Sequence, residues 1–155
     1  GIDSAWADGH GQELVNPSTV GDERLREWTA PYLRLAASPR MAFPPHDHRM
    51  WAAMGVYTGQ EDNTFYRRAP GGLVGAGGRQ VSDGEVLLLG DDAIHAVANP
   101  RRSFTGSIHV YGGDLLATPR SERDPVALEE RDYDVEAAFR YFEEQNAKRG
   151  AGQPA

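Results

Sequence analysis

The chain has 155 residues, a length that fits one compact domain, and its 39% hydrophobic and 25% charged content excludes a disordered polymer. Lys+Arg 16 against Asp+Glu 23 gives a net charge of −7, so the chain as a whole repels phosphate backbones and anionic lipid; neither nucleic acid nor a membrane is expected as a partner. Cysteine is absent, which removes disulfides, thiolate metal sites and cysteine nucleophiles together.

Residues 1–31 are polar and turn-rich, with Asn16-Pro17-Ser18 and Gly21-Asp22, and Glu23 to Trp28 is read as a short helix closed by Pro31. The chain opens on Gly1 rather than Met, so its first residue is not taken as the natural start. No apolar run reaches the roughly 18–20 residues of a membrane helix or forms a secretory leader, a pattern that allows a cytoplasmic setting. From Tyr32 the pattern changes. Tyr32 to Ala37, Met50 to Tyr57, Asn63 to Arg68, Glu85 to Leu89, Ile94 to Ala98 and Phe104 to Tyr111 read as strands. Turn chemistry such as Ala69-Pro70-Gly71-Gly72, Ser82-Asp83-Gly84 and Gly112-Gly113-Asp114 separates them, and such spacing predicts an antiparallel sandwich or barrel. Asp134 to Lys148 reads as a helix: Asp134 caps it, Val135, Ala138, Phe139 and Phe142 form its apolar stripe, and Gly150 follows its end.

Four of the five histidines fall in this central region, while His10 lies in the polar arm and reads as incidental. In an extended segment His46 and His48, two residues apart, share a face and can converge on one cation. Asp47 between them points the other way. His95 lies 47 residues beyond His48. By itself an HxH pair is a weak signal, since it also arises by chance on surfaces and in cores. Its setting here is more specific. His48 is followed by three residues, Ala52, six residues and Gly59; Gly84 by five residues, Gly90-Asp91-Asp92, two residues, His95, three residues and Asn99.

These two stretches resemble the paired motifs of the cupin superfamily. The resemblance implies an all-β fold, a double-stranded β-helix or jelly-roll barrel with a metal near its mouth, flanked by a short N-terminal helical segment and a C-terminal helix. The organisation expected is an arm and short helix over 1–31, a barrel core over 32–116 and an extension with a helix over 117–155, all in one compact domain. Where cupins often carry a glutamate, this chain has Ala52, with Ala53 beside it. The implied ligands are then His46, His48 and His95 without a carboxylate, a set that suits Fe(II), Ni, Zn or Cu and leaves positions open.

In Ser107-Ile108-His109-Val110-Tyr111, alternation puts Ser107, His109 and Tyr111 on one face. Such a row can form a hydroxyl–imidazole–phenol chain that gives Tyr111 a definite donor direction. The plainer reading is a core histidine among ordinary strand formers. Together with three-histidine ligation, the row resembles the thiol dioxygenases of the cysteine dioxygenase type. That resemblance implies ferrous iron, a small thiol and O2 as reactants, a sulfinate product, and Ser107 and His109 orienting Tyr111. It also implies an arginine for a substrate carboxylate. Arg34, 12 residues before His46, is the candidate, against a surface ion pair; Gln60, Arg67 and Arg49 are alternatives. Trp51 and Tyr57 are read as pocket walls, against plain core. Two other functions stay open: a cupin metalloenzyme acting on a non-thiol substrate, and a metal- or ligand-binding cupin without turnover. Either a monomer or a homodimer is compatible with the sequence.

Overall fold

A computed structural model describes residues 13–15, 32–37 and 40–150. The expected helix over Glu23 to Trp28, and His10, lie outside the described residues. In chain order the strands are β1 (Glu13–Val15), β2 (Tyr32–Ala37), β3 (Ala42–Asp47), β4 (Ala52–Thr58), β5 (Gln60–Ala69), β6 (Gly72–Ser82), β7 (Val86–Leu89), β8 (Ile94–Ala98), β9 (Thr105–Tyr111), β10 (Ser121–Arg123) and β11 (Glu130–Asp132). They form two antiparallel sheets, ordered β1-β2-β9-β4-β7 and β11-β10-β3-β8-β5-β6. A C-terminal helix, α1 (Val135–Gly150), completes the fold. This is the jelly-roll barrel expected from the sequence. Among the described residues no helix is long and apolar enough to cross a membrane.

Period-two alternation drives the closure. On β4 the buried side chains are Ala52, Met54 and Val56, and on β7 they are Leu87 and Leu89. They meet Val81, Tyr111 and Leu115 between the sheets. Burying each large apolar side chain in this way contributes about 1.5–3 kcal/mol. The turn from β4 to β5 requires Gly59: its φ is 87°, and a Cβ there would lie 2.5 Å from Thr105 Oγ1.

Besides β3, which is not among the strands read from the sequence, two parts of the barrel departed from expectation. Gly72 to Ser82 carries no strand signal in the sequence, because glycine has poor strand propensity. It nevertheless pairs with β5 along its length, and the hairpin's tertiary context overrides local preference. Gly78 is required there, since a Cβ would come 2.9 Å from the Asn63 carbonyl oxygen. The second departure is that the segment after residue 117 does more than supply a helix. Its strands β10 and β11 extend the six-stranded sheet beyond β3, with Glu122 opposite His46.

Buried charge fastens that extension. Asp47, 2% exposed, accepts from Arg123 Nη1 at 3.1 Å and Nη2 at 3.2 Å and from the Ser121 amide at 3.0 Å. Arg123, itself 0% exposed, also reaches Glu130 Oε1 at 3.0 Å. Asp47→Ala leaves a buried guanidinium without its main partner and is expected to cost about 3–5 kcal/mol, read as a lower urea midpoint. Glu130 is drawn from its ordinary 4.5 down to about 2, first by hydrogen bonds from Arg68, then by Ser121 and the charge of Arg123. A lowered carboxylate stabilises fully above its unfolded value, so this contribution is lost as pH falls from 4.5 towards 2. Arg68→Ala is expected to flatten the pH dependence of the urea midpoint across that window, by a modest amount because both partners are partly solvated.

Candidate metal centre

The ladder between β3 and β8 sets His46 directly opposite His95. Pro44 and Pro45 have no amide hydrogen to give the ladder, and the register shifts between Phe43 and His46, which aims the histidine end of β3 inward. His48 follows two residues later on the same side, and Arg49, with φ 57°, turns the chain away immediately after it. The three imidazoles are buried, and their donor nitrogens lie within 4.8 Å of one another. Asp47 points to the other side of β3, into the ion pairs described above.

Hydrogen bonds prepare two of the rings as ligands. His46 Nδ1 donates to the Pro44 carbonyl at 2.9 Å, and His95 Nδ1 to Asn63 Oδ1 at 2.8 Å, so Nε2 of each carries the free lone pair. Burial first, and then neighbouring positive charge, keeps the rings neutral. For His46 the proton affinity falls from 6.5 to about 4 despite its bond to Pro44, and His48 and His95 sit well below the usual histidine range. His95 Nε2 and His48 Nδ1 are buried without a hydrogen-bond partner. A cation held at the cluster would satisfy the His95 Nε2 lone pair, so the donor set fits a metal ion. Three neutral imidazoles suit Fe, Cu, Ni and Zn alike. Ala52, where the cupin resemblance places a glutamate, sits opposite Tyr111 in the β4–β9 ladder and carries only a methyl group.

The Ser107–His109–Tyr111 row faces the same interior. Ser107 Oγ lies 3.1 Å from His109 Nε2, and His109 Nδ1 lies 3.2 Å from the Tyr111 hydroxyl. The Tyr111 ring meets His48 edge-on, 5.1 Å between centroids. Burial raises the Tyr111 proton affinity above that of free tyrosine, so the phenol is neutral at ordinary pH.

The three histidines, His109 and Tyr111 border a cavity of about 80 Å³. Its apolar lining comes from Met41, Phe43 and Val97 and from Ala138, Phe139 and Phe142 of α1. Asp134 caps that helix as expected, its Oδ1 accepting from the Ala137 amide at 2.8 Å.

The cavity also holds residues the sequence reading passed over. Arg120, buried in the wall, donates through Nη1 to the Leu115 carbonyl, while its Nε–H has no partner. Its guanidinium carbon lies 4.3 Å from the centre of the Tyr133 ring, and burial pushes the Tyr133 phenol up to about 12. Glu61 is buried beneath the Ser107 row. None of the three sits in a motif, and each is brought to the cavity by the fold of the whole chain, which one sequence does not reveal.

Other expectations moved. Trp51 is 51% exposed and covers Gly112, while Tyr57 is 44% exposed and covers Gly106; both lie on the outside of the barrel, not in the pocket wall. Gln60 bonds Asp62 and Arg101 instead of facing the cavity. Arg49 and Arg67 line a separate outer cleft with Asp91 and Asp92. Arg34 takes the register position opposite Ile108, whereas Leu33 and Leu35 stand opposite His109 and Ser107.

Solved structures share this architecture. An oxalate oxidase in complex with glycolate is similar over 68% of this chain and 52% of its own, at 16% identity and a TM-score of 0.54. The 7S globulin of Momordica charantia matches over 79% of this chain and 32% of its own, at 15% identity and a TM-score of 0.56. A variant of Bacillus subtilis oxalate decarboxylase matches over 69% and 26%, at 12% identity and a TM-score of 0.51. The chain thus spans about half the length of the oxalate oxidase and less of the other two. No family model matches the sequence. The fold is that of the cupin barrels, with a three-histidine cluster able to hold a metal. At such identities the likeness carries the fold alone, and the chemistry must come from the residues.

Proposed function

We propose that this chain is a non-haem iron dioxygenase that converts a small thiol to its sulfinate. The observation that supports this best is the buried cluster of three histidines without a carboxylate, with the Ser107–His109–Tyr111 row hydrogen-bonded beside it. The reaction balances as thiolate plus O2 giving sulfinate: two sulfur–oxygen bonds form, the O–O bond breaks and sulfur is oxidised. Iron held by His46, His48 and His95 would supply the redox chemistry. The protein supplies the rest. The phenyl groups of α1 exclude water, the row holds the Tyr111 hydroxyl at the cavity, and Arg120 takes the carboxylate-binding role that the sequence suggested for Arg34.

The test is oxygen consumption by anaerobically iron-loaded protein given a panel of small thiols, with the sulfinate identified by mass spectrometry. Thiol-dependent uptake is the expected result. A ligand-induced melting shift with no uptake would overturn it in favour of a binding protein. Uptake confined to non-thiol acids would favour a second reading, a cupin acting on a small carboxylic acid. That alternative draws on Arg120 and on the oxalate enzymes among the structural neighbours. Arg120→Gln is expected to raise KM for a carboxylate-bearing thiol about 10–100-fold and to leave a thiol without a carboxylate nearly unaffected, as steady-state kinetics on the two substrates would record.

A further inference from the structure

Glu61 places a buried negative charge at the closed end of the Ser107–His109–Tyr111 row. It is 3% exposed, its Oε1 lies 2.5 Å from Ser107 Oγ and 3.6 Å from His109 Nε2, and its Oε2 has no hydrogen-bond partner. A Ser107 contact this short falls in the range of a hydroxyl donating to a carboxylate anion.

Counting protons outward from that anion gives the row one direction. Ser107 has a single hydroxyl hydrogen, and the carboxylate takes it. Ser107 Oγ can then only accept from His109, at 3.1 Å, so the ring hydrogen of His109 sits on Nε2. In the neutral ring Nδ1 is then left as the acceptor facing Tyr111 at 3.2 Å, and the phenol donates its hydrogen to it. What Tyr111 turns towards the cavity is therefore an oxygen lone pair. The strand alternation implied a definite donor direction for Tyr111, and Glu61 turns that direction towards His109.

We propose that Glu61 is a positioning residue that locks His109 as the Nε2–H tautomer and so makes Tyr111 a hydrogen-bond acceptor towards the substrate. The substrate group it meets then carries a hydrogen, either the thiol itself or an adjacent amine. The kinetic part of this inference rests on the proposed thiol oxidation; the tautomer does not.

The tautomer is read by nitrogen-15 NMR of the zinc-loaded protein, which is diamagnetic and needs no turnover. Wild-type His109 should show the neutral Nε2–H pattern. Glu61→Gln can donate to Ser107 through its amide, which releases the row, so the Nδ1–H form should appear. Glu61→Asp, which keeps the charge, should retain the wild-type pattern. An Nδ1–H tautomer in the wild type, or one pattern in wild type and Glu61→Gln alike, overturns the proposal. Should Glu61→Gln fail to fold, the wild-type and Glu61→Asp spectra still decide it. In iron-loaded protein Glu61→Gln should lower kcat about 10²-fold with metal content unchanged, and should slow a Tyr111→Phe protein no further. Full additivity with Tyr111→Phe would mean a structural role and overturn the proposal. If the wild type consumes no oxygen with any thiol, the function proposed above fails while the NMR result still judges Glu61.

Discussion

Protein carrying His95→Ala is expected to come through purification without a stoichiometric transition metal and to consume no oxygen with any thiol. His95 is 0% exposed, and its unpartnered Nε2 belongs to the three-nitrogen cluster. Its loss leaves two neutral imidazoles and no carboxylate in the cluster to replace it. The effect should exceed the roughly 10–100-fold weakening that follows loss of a supporting partner. Asn63→Ala sets that lower mark, because Asn63 Oδ1 holds the His95 Nδ1 hydrogen at 2.8 Å and is not one of the cluster's three ligand groups. Elemental analysis and competition with a chelator measure both variants. Metal content unchanged in His95→Ala would move the ion elsewhere on the protein.

Tyr111→Phe is expected to keep its metal and lower kcat by about 10²–10⁴-fold with little change in KM. The substitution removes one oxygen from a buried ring and leaves the ring's packing against His48 in place. His109 Nδ1 loses its neighbour, so a stability cost of about 1–3 kcal/mol accompanies the kinetic effect. Oxygen uptake and iron content measured on one preparation separate the two consequences. Turnover equal to wild type would remove the phenol from the reaction.

Arg120 and Arg34 show where local reading stops. A guanidinium near the metal was expected on β2, the strand beside the tyrosine row, but the β2–β9 register puts Leu33 and Leu35 opposite His109 and Ser107. The arginine in the cavity wall comes from the segment leading into β10. Its neighbour Tyr133 lies just before α1 and is likewise far in sequence from the histidines. Trp51 and Tyr57 teach the same lesson from the other side. A large aromatic on a barrel strand reads as core until the pleat shows which face it occupies, and here both cover glycine backbone on the outside. By contrast, the helix cap at Asp134 depends on a bond three residues away and was readable from the start.

Within one chain segment, alternation with period two was enough to pair His46 with His48, to separate Asp47 from both, and to align Ser107, His109 and Tyr111. Those relations are set by the geometry of an extended backbone and need no partner strand. Bringing His95 opposite His46, burying Glu61 under Ser107, swinging Arg120 into the wall and closing the cavity with α1 all depended on pairings between strands distant in sequence. Such pairings are selected by the summed burial of both sheets, a property of the whole barrel that no short stretch of residues encodes.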